Sequence, residues 1–449
     1  MISTTLELTS HRTFITVKHW LLARRNGFTK VTHILVLLFM TLQINAKDNF
    51  EQYRVDDKKL PSSKALVEEV KLLPSTGAGN ASFGHSVSLS GNRALIGAYR
   101  QSQSGAAYLF EFDGNSWNQM QIITAIDGET FDRFGFSVSL HGNRALIGAT
   151  GNDDNPGCPN GCAYLFEFDG NSWNQMQKIT AADGEAFDVF GGSVSLSDNW
   201  ALIGALGDDD NGSASGAAYL FEFDGNNWNQ LQKITAADGE AFDGFGESVS
   251  LSGNRALIGA PFNDGNAANA GSAYLFEFDG NSWNQMQKIT AADGELYNKF
   301  GGSVSLSGTK ALIGARGDDE TGSTAGSAYL FEFDGNSWNQ QQKITATDGE
   351  IDDQFGQSVS LSGNWALISA TGDDDNGSLS GSAYLFEFDG SSWNQLQKIT
   401  PTDGEASDRF GGSVSLSGKL VLIGASENNP GSAYIFNGDL IFKNAFENQ

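Results

Sequence analysis

This chain of 449 residues is poor in histidine, cysteine and proline, with five, two and seven copies respectively. Past residue 46 only His85 and His141 remain, and neither has a recurring Ser or Cys partner, which argues against histidine-dependent nucleophilic chemistry. The two cysteines, Cys158 and Cys162, share one loop that contains no histidine, too few ligands for a zinc site. They fit a local disulfide in an oxidising compartment. Positive charge is also in short supply. Lys and Arg number 27 against 54 Asp and Glu, and residues 1–46 take five of the bases (Arg12, Lys18, Arg24, Arg25, Lys30) but one acid, Glu7. The remainder carries 22 basic and 53 acidic groups, a net charge of −31. Such a surface repels nucleic acid and anionic membrane, and suits cations or basic partners. Long apolar runs are missing except for Val31–Ala46, which follows a basic stretch, ends in a small residue and is short for a membrane span. Residues 1–46 therefore read as a signal peptide, with a retained signal anchor as the alternative, and 47–63 as a flexible lead-in, so the mature chain is expected to be secreted, periplasmic or displayed on the cell surface, with no membrane span once the leader is removed.

What the chain does contain is one phrase of about 55 residues written seven times. Its marker is Phe-Gly before a Ser-Val-Ser-Leu run, with the Phe at 83, 134, 190, 245, 300, 355 and 410. Ile-Gly-Ala follows (Ile-Ser-Ala at Ile368), then a polar loop, an Ala-Tyr-Leu-Phe-Glu-Phe-type strand, an Asp-Gly turn and Trp-Asn-Gln-x-Gln-Lys-Ile-Thr. In the copy from Phe190, Ser193–Ser197 alternates polar and apolar residues, Ala201–Ala205 is a short apolar strand, Ala218–Phe223 alternates again, and Trp228–Ile234 is a fourth strand. Helical periodicity is absent from the repeats, and proline is almost absent from these strands, as ladder hydrogen bonding requires. Four short antiparallel strands per copy make the blade of a β-propeller. The predicted fold is all-β, a seven-bladed propeller over residues 64–436, with 437–449 as a C-terminal tail. Only six copies carry the Trp-Asn-Gln strand, so Leu66–Leu73 is expected to complete the blade that begins at Phe410 and to close the ring.

Phe-Gly with Gly-Ala, and one full Gly-Ala-Pro at Gly259 to Pro261, resembles the FG-GAP repeats of integrin α-chain propellers, and more closely the bacterial secreted proteins built from such repeats. The resemblance implies a binding or adhesion module. It does not carry over the integrin calcium loop: between Phe-Gly and Gly-Ala-Pro there is only a tight turn such as Ser252-Gly253-Asn254. The tail is similar to short Ile-Phe…Phe-Glu tails of some bacterial secreted proteins.

Strand order places the loop between strands two and three on the same face as the loop joining one blade to the next. The first kind carries Asp208, Asp210 and Asn211, Asp318 and Asp319, and Asp373, Asp375 and Asn376; the second repeats Asp-Gly-Glu. Crowded carboxylates are relieved by a cation, and calcium favours such oxygens, so these eight residues are the candidate calcium ligands. Plain turn chemistry is the alternative, with Asp188 and its equivalents bonding backbone amides to hold the loop. Because the paired carboxylates recur in nearly every blade, whereas an active site should stand out, the chain is not expected to be an enzyme. The expected function is a non-enzymatic binding or adhesion module, a monomer taking a protein or glycan on its acidic face, with no cofactor required and calcium as a candidate. The alternative is a calcium-dependent glycan-binding or glycan-cleaving propeller.

Overall fold

The computed structural model describes residues 67–76, 79–151, 158, 160–427 and 429–438. The expected signal peptide, the lead-in and the tail beyond Gly438 lie outside these residues. The chain divides into residues 1–63 and a compact unit of 64–449. That unit is built from seven four-stranded antiparallel sheets, a seven-bladed propeller. In the third blade the strands are Ser193–Ser197, Trp200–Ala205, Ala217–Phe223 and Trp228–Ile234, hydrogen-bonded in sequence order from the inner to the outer edge.

The Phe of each Phe-Gly is fully buried and meets Tyr and Phe of the third strand edge-on; Phe190 lies 5.4 Å from Tyr219 and 6.3 Å from Phe221. Each apolar cluster joins two neighbouring blades: Leu146, Leu165 and Ile179 of the second pack with Phe190, Ile203 and Tyr219 of the third. The glycine after that Phe has a steric reason. Gly135 adopts φ 88°, and a Cβ there would lie 2.3 Å from the carbonyl oxygen of Ala106 in the preceding blade.

Polar side chains lace the blades together. The serines of Ser-Val-Ser-Leu point at the next inner strand, and their hydroxyls accept its amides: Leu196 N–H bonds Ser139 at 2.9 Å, Leu251 bonds Ser195 at 2.9 Å, and Leu306 bonds Ser250 at 2.9 Å. A second row lies on the outer strands. Gln177 accepts from the amide of Trp228 and donates to its carbonyl, at 2.9 and 2.8 Å, and Gln232 treats Trp283 alike. Inner strands that cannot pair edge to edge thus satisfy their amides through side chains.

Ring closure follows the same rules. Val67–Leu72 pairs antiparallel with Ser432–Asn437, outermost in the sheet that begins with Ser413–Ser417 and Leu420–Ala425. Ser413, Ser415 and Ser417 accept the amides of Val87, Leu89 and Gly91 in the first blade. Phe83 also bridges to Gly431, as Phe190 does to Gly161 in the ring's interior.

Candidate functional site

The two loop types do share a face, and lysine ties them together. Lys233, from the outer strand of the third blade, reaches Asp183 of the preceding Asp-Gly-Glu loop at 3.0 Å, and Asp208 and Asp210 of the strand-two–three loop at 2.7 and 2.5 Å. Lys343 does the same with Asp293, Asp318 and Glu320, and Lys398 with Asp348, Asp373 and Asp375. Burial would lower the Lys233 pKa, but the hydrogen bonds it donates to Asp208, Asp210 and Asp183 outweigh it and the pKa is raised. Tyr219 and Tyr384 add hydroxyl bonds to Asp208 and Asp373, at 2.9 and 3.0 Å. Of the eight candidate calcium ligands, the structure gathers Asp208 with Asp210, and Asp373 with Asp375, around an ammonium group; Asp318 binds Lys343, while Asp319, Asn211 and Asn376 stay exposed. The relief from like-charge crowding that suggested a metal comes here from lysine.

Sequence reasoning missed these lysines, although a signal existed in the differences between copies. The first blade has Ile122 where the others have Lys, and there the loop also loses its acids, with Gln101 at the place of Asp208. The loop that enters this blade is also the one without Asp-Gly-Glu, the partner kept by Lys71, Lys178 and Lys288 even where the Asp208 position is Asn.

Behind this row lies a second, more buried one. Asp188 accepts the Glu185 amide at 2.7 Å, with the same bond at Asp132, Asp243, Asp353 and Asp408, so these residues hold the Asp-Gly-Glu loops. In the fourth blade Asn263 donates to Asp243 at 2.8 Å, and in the fifth Asn298 donates to Asp318 at 3.1 Å. The third and sixth blades have Asp at both places. Burial, opposed by the Glu185 amide and reinforced by the charge of Asp208, pushes Asp188 up to about 6; Asp353 beside Asp373 behaves alike.

Toward the axis the chemistry changes. The loop entering each inner strand places an exposed side chain three residues before the Phe of Phe-Gly: Phe131, Phe187, Phe242 and Tyr297, on the second to fifth blades, are 61–70% exposed. All four hold left-handed backbone, φ 63° to 74°, uncommon for bulky residues. One cavity of about 630 Å³ touches the fifth, sixth, seventh and first blades, with Tyr297, Lys299, Arg316, Gln354, Arg409 and His85 among its walls. A second, of about 620 Å³, lies between the first and second blades, with Tyr99, Arg100, Phe131 and Arg133. His85 sits against the rings of Tyr99 and Phe136 at 4.5 and 4.9 Å, and burial with the nearby Arg100 charge brings its pKa down to about 4. Cys158 and Cys162 are joined as a disulfide, with Cα atoms 5.5 Å apart.

No curated protein matches the chain. Among solved structures it is similar to the periplasmic gluconolactonase PpgL of Pseudomonas aeruginosa, at 15% identity and TM-score 0.48 over 71% of this chain and 86% of that one. It is also similar to a putative 6-phosphogluconolactonase from Bacteroides uniformis ATCC 8492, at 11% identity and TM-score 0.50 over 72% and 86%. The second likeness corrects the expectation that the chain is not an enzyme. A structure described as a putative 6-phosphogluconolactonase shares the fold, so the propeller itself does not argue against catalysis. At this identity the likeness is one of fold, and no active-site residue is carried across. The FG-GAP repeat model matches seven times, at residues 66–110, 117–166, 173–221, 228–276, 283–331, 338–386 and 393–436. Its first match takes in the closing strand at the place where the others have the Trp-Asn-Gln strand. With seven repeats matched and seven blades formed, the chain belongs to the FG-GAP repeat family.

Proposed function

We propose that the chain is an exported binding protein that engages a protein or glycan partner with its loop face, around the axis. The observation that carries this reading is the arc of Phe131, Phe187, Phe242 and Tyr297. These large aromatics stay mostly exposed on four successive blades, at a left-handed position that Asp352 and Ser407 fill on the next two, and aromatic side chains are the usual anchors of recognition surfaces. Export is supported by the Cys158–Cys162 bridge and by the apolar run ending at Ala46. The rim lysines and aspartates mainly neutralise one another, which leaves the arc and the two cavities as the parts of this face free to meet a ligand.

A glycan and protein array probed with the exported chain, with and without calcium, tests the proposal. Phe187→Asn with Phe242→Asn is the informative variant, because Asn tolerates the left-handed backbone. Its array signals should fall at least about tenfold while its melting temperature is unchanged or higher. Signals equal to wild type would remove the arc from the binding surface.

A further inference from the structure

We infer that the axial cavity spanning the fifth, sixth, seventh and first blades binds a small hydroxylated anion, a sugar ring bearing a carboxylate or phosphate. The inference rests on the proposal that this face is the binding face. Its first support is charge. A chain with 22 basic and 53 acidic groups past residue 46 places Lys299, Arg316 and Arg409 in one cavity, against a single lining acid, Glu427. One further carboxylate stands close: Glu247, 3.9 Å from Arg316, whose pKa is raised by burial against the pull of Arg316 and Lys299. The second support is pairing. The rim lysines are held by up to three carboxylates each, whereas among the described residues Lys299 and Arg409 form no ion pair, and Arg316 keeps only the distant Glu247 and a bond to Gln357 at 3.2 Å.

The third support is backbone. The residue before each Phe-Gly is left-handed, and Gly244 shows that glycine serves there at φ 66°. Yet Lys299 at φ 55°, Gln354 at 57° and Arg409 at 49° occupy three of these positions around the same cavity, and Arg133 at 57° a fourth beside the second one. Ser82 and Val189 take the position elsewhere, so the long polar side chains are those that line the two cavities. Gln354, Gln357 and Thr371 supply groups for sugar hydroxyls, and Tyr297 a face for the ring. His85, its pKa held near 4, meets a ligand as a neutral hydrogen-bonding group. Whether the acid group is carboxylate or phosphate is a matter for the probe, since arginine and lysine recognise both.

Titration calorimetry of the exported chain with glucuronate, glucose 6-phosphate and glucose tests the assignment. At least one of the two anions should bind, more weakly as salt rises, while neutral glucose does not. Lys299→Gln with Arg409→Gln should raise Kd by about tenfold or more. Gln354 already holds glutamine at an equivalent left-handed position, so this double variant keeps the fold. Lys310→Gln, whose side chain bonds Asn364 on the turn-bearing face, should bind as wild type does. The inference is overturned if neither anion binds more tightly than glucose, or if the double variant binds like wild type. Array binding that depends on Phe187 and Phe242 would then survive, so failure here is separable from failure of the wider proposal.

Discussion

Asp188 and Asp353 each face a second aspartate, where the fourth and fifth blades set Asn against Asp. The asparagine amide donates one hydrogen bond that a pair of carboxylates can make only by keeping a proton, which is the local sense of a pKa near 6. A carboxyl raised by folding contributes stability while protonated and loses it as pH rises through about 6. The turn aspartates act in the opposite sense. Asp389, held down to about 2 by the amides of Ser392 and Ser391, contributes above the ordinary carboxylate range and loses that as pH falls toward 2. The melting temperature should therefore rise from neutral pH to a maximum near about pH 4, the ordinary carboxylate value, and decline below it. Asp188→Asn with Asp353→Asn should flatten the limb between the maximum and neutrality, and stabilise by about 1 kcal/mol per site at neutral pH. Scans across that range check it, and an unchanged limb would remove the pairs as its cause.

The carboxylates gathered by lysine make a second prediction at this scale. Carboxylate oxygens of Asp348, Asp373 and Asp375 lie within 4.8 Å of one another, around Lys398. Lys398→Gln leaves these acids without their cation and should lower the melting temperature. Calcium should then restore it beyond what matched sodium chloride achieves, by mass action on the folded state. In the wild type the two salts should act alike. A calcium-specific shift in the wild type would show that the carboxylates take a metal beside their lysines.

The strands show how far the sequence could be read and where it stopped. Their alternation, their turns and the Phe-Gly spacing were all legible, because each is a local pattern repeated seven times. The bonding of the inner-strand serines was not. Ser195 looks like a solvent-facing residue in its own strand, and its partner, the amide of Leu251, lies 56 residues away in a strand it does not pair with. The lysine clusters escaped for the same reason, since Lys233 and Asp183 stand 50 residues apart. Contacts between blades are invisible to a pattern read within one. Ser195→Ala should leave the Leu251 amide without its acceptor and cost about 1–2 kcal/mol in denaturant unfolding. Ser139→Ala should match it through Leu196. Losses well below this would mean that water replaces the hydroxyl.

Across the whole molecule, the seventh blade is made from both ends of the repeat region. Deleting residues 64–75 removes Val67–Leu72, leaves Ser432–Asn437 as a bare edge and strips Asp403 of Lys71, which holds it at 2.7 Å. Light scattering and thermal unfolding should show association and a melting temperature lower by several degrees. A monomer that melts as the full chain does would refute closure by this strand. The same arrangement sets an order of events in synthesis. Val67, among the first propeller residues to be translated, finds its partner in Asn437, among the last. Until the final repeat emerges, every partial product carries open edges that neighbours in a crowded compartment can capture. A chain truncated anywhere before its seventh repeat therefore leaves Val67–Leu72 without the strand it pairs with.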